Sequence, residues 1–164
     1  MKKLLVVFTL ILTSFIFKAN AQVNVSFNVG AQPVWGPVGY DYAEYYYLPD
    51  VDAYYYVPQR QFIYKQGKKW VFSPTLPPKY RGYDLYHGYK VVINDPRPYD
   101  HHDIYYVKYA PYKGKKGQMI IRDSHDERYW VIKGHPDHGK WKAAKYPGKG
   151  PGKGPWKGKG HGKH

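Results

Sequence analysis

Cysteine does not occur anywhere in this chain. Disulfides, thiolate metal ligands, a thiol nucleophile and a thiol able to carry a lipid are therefore excluded. Serine is scarce. Past residue 22 it occurs only at Ser26, Ser73 and Ser124, and none of these sits in a Gly-x-Ser-x-Gly elbow. No glycine-rich loop that could cradle a phosphate precedes a helical pattern. Carboxylates are missing altogether from Gly139 to the end.

Long apolar stretches are lacking too, apart from Leu4–Phe17, which is interrupted by Thr9, Thr13 and Ser14. That run is shorter than the ~20 residues needed to span a bilayer. It follows the basic start Met1-Lys2-Lys3 and ends in Ala19-Asn20-Ala21, a small-x-small pattern. Basic start, apolar middle and small-residue site together describe a secretory leader, with cleavage expected between Ala21 and Gln22. The expected organisation is a leader over 1–21, one domain over 22–138 and a basic tail over 139–164. The expected location is outside the cytoplasm: periplasmic, bound at the outer membrane or extracellular. No transmembrane segment is expected after cleavage.

Tyrosine is what the chain has in quantity, with twenty residues. They centre on Tyr45–Ser73, which holds two Tyr-Tyr-Tyr-x-Pro units nine residues apart, then Phe62-Ile63-Tyr64 and Trp70-Val71-Phe72. Aromatic and β-branched runs bounded by proline and glycine predict antiparallel strands. They fall at about Ala53–Val57, Gln61–Gln66 and Lys69–Ser73, with Tyr45–Leu48 as a further candidate. Gln66-Gly67 marks a tight hairpin. Short links make a meander the simplest topology. Without disulfides the domain must hold together by packing, and each buried tyrosine hydroxyl needs a partner.

Other segments are read in the same way. Gln22–Val29 alternates apolar and polar residues strictly, predicting a half-buried strand. Trp35 is the expected anchor of the loop Gln32–Gly39. Lys79–Tyr86 reads as a turn or one short helix, and Lys90–Asn94 as a strand. Ile104–Tyr109 fits a strand by composition, or a helix capped by Asp100 and Asp103 with Ile104, Val107 and Ala110 on its inner face. Gln118–Arg122 and Arg128–Lys133 read as two further strands. The fold class is therefore β-rich, all-β or α+β with one or two short helices, followed by a disordered Lys/Gly/Pro tail.

PVWGPVGYD, YYYLPDVDAYYY, FIYKQGKKWV with SPTLPPKY, IIRDSHDERYW and the Lys/Gly/His-rich end together resemble a group of small exported Tyr-rich proteins of Gram-negative bacteria. The resemblance covers most of Pro33–Trp130. It implies export and a shared β-rich fold, and no activity or functional residue comes with it.

Charge is concentrated at one end. Of the formal +14, Lys2, Lys3 and Lys18 hold three and the eight lysines after Gly139 hold eight, leaving +3 for Gln22–His138. The tail runs in four-residue units, KYPG, KGPG, KGPW, KGKG and HGKH. Glycine and proline at that density support neither helix nor ladder. Lys140, Lys142, Lys145, Lys149, Lys153, Lys157, Lys159 and Lys163 are the candidate contacts to polyanions. Outside the cytoplasm these would be lipopolysaccharide, acidic polysaccharide or extracellular DNA.

Chemistry-bearing clusters are few. Asp100-His101-His102-Asp103 and the pair His135/His138 carry metal-capable groups suited to zinc, copper or nickel. Strand neighbours face opposite ways, so the first cluster offers at most two ligands to one ion. His101, His102, His135 and His138 are weak candidates, and neither a metal site nor a cofactor is expected. Ser124-His125-Asp126 has triad residue types in a contiguity that prevents convergence. Asp50 and Asp52 would suit a carboxylate pair or, more simply, a turn. The leading expectation is a non-catalytic envelope or surface protein whose tail engages anionic polymers. The alternatives are a small hydrolase using carboxylates or histidines of the body, and a glycan-binding module using exposed Tyr and Trp.

Overall fold

A computed structural model describes residues 28–146. The expected leader, the Ala21–Gln22 cleavage point, most of the expected strand Gln22–Val29 and the lysines from Lys149 onward lie outside those residues. The architecture is a five-stranded antiparallel sheet with two short α-helices. The strands are β1 (Tyr45–Leu48), β2 (Ala53–Tyr56), β3 (Gln61–Gln66), β4 (Lys69–Ser73) and β5 (Val91–Ile93), in spatial order β4-β3-β2-β1-β5. The first four form the expected meander, and β5 returns to pair with the outer edge of β1. Gly67 takes φ +63° in the β3–β4 turn, a conformation that only glycine adopts at no steric cost.

The two Tyr-Tyr-Tyr units are partners in this sheet. Tyr45, Tyr46 and Tyr47 lie opposite Tyr56, Tyr55 and Tyr54. Their runs show no polar alternation because both faces of the sheet are covered. On one face Tyr46, Leu48, Tyr55 and Phe62 pack under Trp35, Tyr80, Tyr83 and Leu85. On the other, Tyr45, Tyr47, Tyr54 and Ile63 pack under Tyr99, Tyr105 and Tyr109. Trp35 pins its loop as expected, with its ring centroid 4.8 Å from that of Tyr55 and 5.7 Å from that of Tyr46.

Buried hydroxyls find the partners that burial demands. Tyr46 donates to the Gln32 Oε1 at 2.8 Å, and the amide of that buried glutamine donates to the Tyr40 carbonyl at 3.0 Å. Tyr129 Oη accepts from the Gly39 N–H at 2.7 Å. Lys90, which sequence reading passes over, is also buried, with Nζ donating to the Leu85 carbonyl at 2.9 Å. Loss of water pushes its pKa down to about 8.

Several expected elements take another form. Val29 belongs to a 3-10 turn, Val29–Ala31, so no strand runs through it. The preceding Asn28 pairs by its side chain with both the N–H and the C=O of Ala43. Gln118–Arg122 is not a strand. It meets residues 34–38 at one bridge, Pro37 to Ile120, flanked by bonds from the Val38 N–H to the Met119 carbonyl and from the Ile121 N–H to the Gly36 carbonyl. The ladder stops because the Gly36 N–H is taken by the Pro33 carbonyl and residues 121–123 coil into a 3-10 turn. Arg128–Lys133 is not a strand either. Asp126 accepts from the Arg128 N–H and starts a chain of 3-10 turns, so Tyr129 and Ile132 are buried at a spacing of three.

The ambiguous segment is a helix, α1 (His102–Tyr109), but neither its cap nor its inner face is the expected one. Its N-cap is His101, without a side-chain cap bond, and Asp100 instead pairs with Arg97 at 3.0 Å. His102, Tyr105 and Tyr109 face the sheet, whereas Ile104 and Val107 are exposed. The aromatic side is larger and buries more area. Residues 138–145 form a second helix, α2 (His138–Lys145), so the boundary of the irregular tail cannot lie at Gly139. Among the described residues no helix is long and apolar enough to cross a membrane.

Gly88 is required by packing. A Cβ on Gly88 would lie 1.8 Å from the Tyr83 hydroxyl oxygen and 2.5 Å from Cζ. Tyr83 also donates to Asp50 at 3.0 Å. Gly88→Ala should therefore displace the ring and break that bond, lowering stability by about 1–3 kcal/mol. An unchanged urea midpoint would refute this.

Candidate functional site

The sequence candidates fall into three places: the β1–β2 corner, the turns around residue 135, and helix α2. At the β1–β2 corner Asp50 and Asp52 engage opposite faces of the sheet. Asp50 accepts from Tyr83 Oη and from the Gly114 N–H at 2.6 Å. Asp52, at φ +51°, accepts from Tyr47 Oη at 2.9 Å and lies 3.3 Å from His102 Nε2. Aspartate is among the residues that tolerate this left-handed backbone. The two carboxylates thus serve separate networks and do not form an acid–base pair across one substrate.

His102 is the centre of the second network. Its Nδ1 is 3.1 Å from Tyr54 Oη, and its ring lies edge-on to Tyr47, Tyr54 and Trp70. With Nδ1 accepting from Tyr54 Oη, the protonated Nε2 faces the Asp52 carboxylate as an electrostatic neighbour. Burial, and then the Asp52 charge, push the Tyr54 hydroxyl above its usual pKa; burial and the bond to Asp52 do the same for Tyr47. This Tyr-His-Asp chain is the order of groups a proton relay would use. Tyr54 is fully buried, however, so no substrate can reach its hydroxyl. What the arrangement does chemically is latch α1 to the sheet. Its neighbour His101 points to solvent, so the two histidines do not converge.

His135 and His138 are also committed to structure. His135 is buried, its Nε2 is 3.1 Å from the Ser124 carbonyl, and its Nδ1 accepts from the Asp137 N–H at 3.0 Å. His138 Nδ1 is 2.8 Å from the Trp130 carbonyl, and its ring stacks on Trp141. Among the described residues no group of three His, Cys, Asp or Glu could hold a metal ion. Ser124 Oγ accepts from the Asp126 N–H at 3.2 Å, and Asp126 engages Arg128, so the contiguous Ser-His-Asp is turn chemistry.

Helix α2 carries the first three candidate polyanion contacts. Lys140 pairs with Asp137 at 2.7 Å and lies over the Trp130 ring, while Lys145 lies over Trp141. Lys142 is exposed. Lys142 and Lys145 sit in the last turn, where cations complement the helix dipole. With His138 bound to Trp130, this basic run leaves the body from a fixed helix. Lys149, Lys153, Lys157, Lys159 and Lys163 lie beyond the described residues. The chain matches no protein-family profile, no curated protein and no solved structure.

Proposed function

We propose that this is a non-catalytic exported protein that binds anionic polymers of the cell envelope through its C-terminal lysines. The observation that carries the reading is the charge map: eight lysines and no carboxylate after Gly139, against +3 for Gln22–His138. Support also comes from the body, where Ser124, His102, His135, His138, Asp50 and Asp52 are engaged in turns and latches. The leader-like N-terminus and the motif resemblance support export.

Each lysine that meets a polyanion releases counterions, so retention should fall with salt and weaken stepwise as lysines are removed. The test compares the full chain with a variant in which Lys140, Lys142, Lys145, Lys149, Lys153, Lys157, Lys159 and Lys163 are all glutamine, on immobilised heparin at low salt. The variant should elute at clearly lower salt while the sheet stays folded by circular dichroism, with only a small loss of stability from the exposed Lys140–Asp137 pair. Equal retention of the two would overturn the proposal.

A further inference from the structure

The body's modest net charge hides an uneven distribution. No carboxylate occurs between Asp52 and Asp84, while Arg60, Lys65, Lys68, Lys69, Lys79 and Arg81 all fall there. This stretch forms β2, β3, β4 and the proline turn that follows. Against β3 lies a groove of about 380 Å³ whose wall includes Phe62, Tyr64, Pro78, Tyr80, Arg81 and Leu85. A second hollow of about 360 Å³ shares Tyr64 and Pro78 with it and adds Lys65 and Lys79. Together they make a trough of the size that small ligands occupy.

Its parts are held in place before any ligand arrives. Tyr64 stands on β3, fixed by pairing with Val71 on β4. Tyr80 closes a 3-10 turn, Pro78–Tyr80, whose N–H bonds to the Pro77 carbonyl at 2.8 Å. Lys79 Nζ lies 4.7 Å from the centroid of the Tyr80 ring. Both tyrosines are half-buried, and among the described residues neither hydroxyl makes a hydrogen bond to protein. The trough therefore combines flat aromatic surface, free phenolic hydroxyls and cations, with no acid in its wall.

We infer that this trough is a binding site for an acidic oligosaccharide, one whose sugar rings bear carboxylates. Sugar C–H faces pack on the Tyr64 and Tyr80 rings, ring hydroxyls pair with the phenols, and carboxylates meet Lys79 and Arg81, whereas the Lys65 ammonium lies over Trp70 on the other face of the sheet. The short concave shape and the unpaired hydroxyls favour a hydroxyl-rich ligand over single-stranded nucleic acid, which uses longer tracks of stacked bases. The inference deepens the anionic-polymer reading by giving the folded body a selective site beside the unselective tail.

The test uses the full chain with the eight tail lysines changed to glutamine, titrated calorimetrically with an oligogalacturonate at low salt. Binding should persist. It should weaken at least about tenfold in Lys79→Gln/Arg81→Gln, whose exposed side chains leave the fold intact, and in Tyr80→Ala. A neutral gluco-oligosaccharide of the same length should bind at least about tenfold more weakly. Absence of binding, equal binding by Lys79→Gln/Arg81→Gln, or equally tight Tyr80-dependent binding of oligothymidylate would each overturn the inference. The two proposals fail separately. If the tail variant alone loses heparin, the tail stands whatever the trough does; if trough variants alone lose the oligosaccharide, the reverse holds.

Discussion

Raising the pH through 10 should unfold this domain steeply. Burial pushes the hydroxyls of Tyr46, Tyr47, Tyr54 and Tyr83 well above their usual pKa, and those of Tyr45 and Tyr105 to about 12. A raised folded-state pKa means that the unfolded chain loses its proton first. The stabilisation is complete below pH 10 and is lost as pH climbs from there towards the folded values. Each group's loss approaches about 1.4 kcal/mol per pH unit only above pH 10, where the unfolded chain is fully ionised, so the three tyrosines with almost no exposure, Tyr46, Tyr47 and Tyr54, remove on the order of 3 kcal/mol between pH 10 and 11.

Lys90 acts with the opposite sign. Its pKa is lowered to about 8, so folding disfavours its charged form, and stability should rise between pH 8 and 10 by about 2 kcal/mol. Urea midpoints at constant ionic strength should therefore pass through a maximum near pH 10. Lys90→Met should abolish the rise and leave the fall. A flat profile to pH 11 would mean that the tyrosine hydroxyls are solvated.

The second large effect is expected at Tyr54. Its ring sits between Tyr47, Trp70 and His102, and its hydroxyl is the partner of His102 Nδ1. Tyr54→Ala should destabilise by about 3–5 kcal/mol. That is a large share of the ~5–15 kcal/mol total of an ordinary domain. Tyr54→Phe keeps the ring and strands the imidazole nitrogen, for a loss of about 1–3 kcal/mol. Trp70 stands on β4 opposite Lys65. It lies on the edge strand and is only half-buried, so Trp70→Ala should cost less than Tyr54→Ala. Chemical denaturation of the three variants checks the ranking. A larger loss at Trp70 than at Tyr54 would place the core at the sheet edge.

Local signals were enough for the central meander. Tyr45–Ser73 carries strand propensity, proline boundaries and a glycine where φ is positive, and these depend only on near neighbours in the chain. The uneven charge is likewise a property of composition. By contrast, Gln118–Arg122 and Arg128–Lys133 have strand-like content, yet the Pro33–Gly36 turn opposite one and the Asp126 turn in the other prevent a ladder. Ile104, Val107 and Ala110 have the right spacing for a buried stripe, but the sheet accepts the aromatic side of α1, because His102 finds Tyr54 and Asp52 there. Asp50 and Asp52 are two residues apart and serve opposite faces. Lys90 is buried because loop carbonyls meet its Nζ. The trough between β3 and the proline turn joins Tyr64 to Tyr80, which share no sequence motif. Sequence by itself determined the strands of the meander and where the charge lies. Tertiary structure alone decided which side chains are withdrawn from water, since burial and pairing depend on groups brought together from distant parts of the chain.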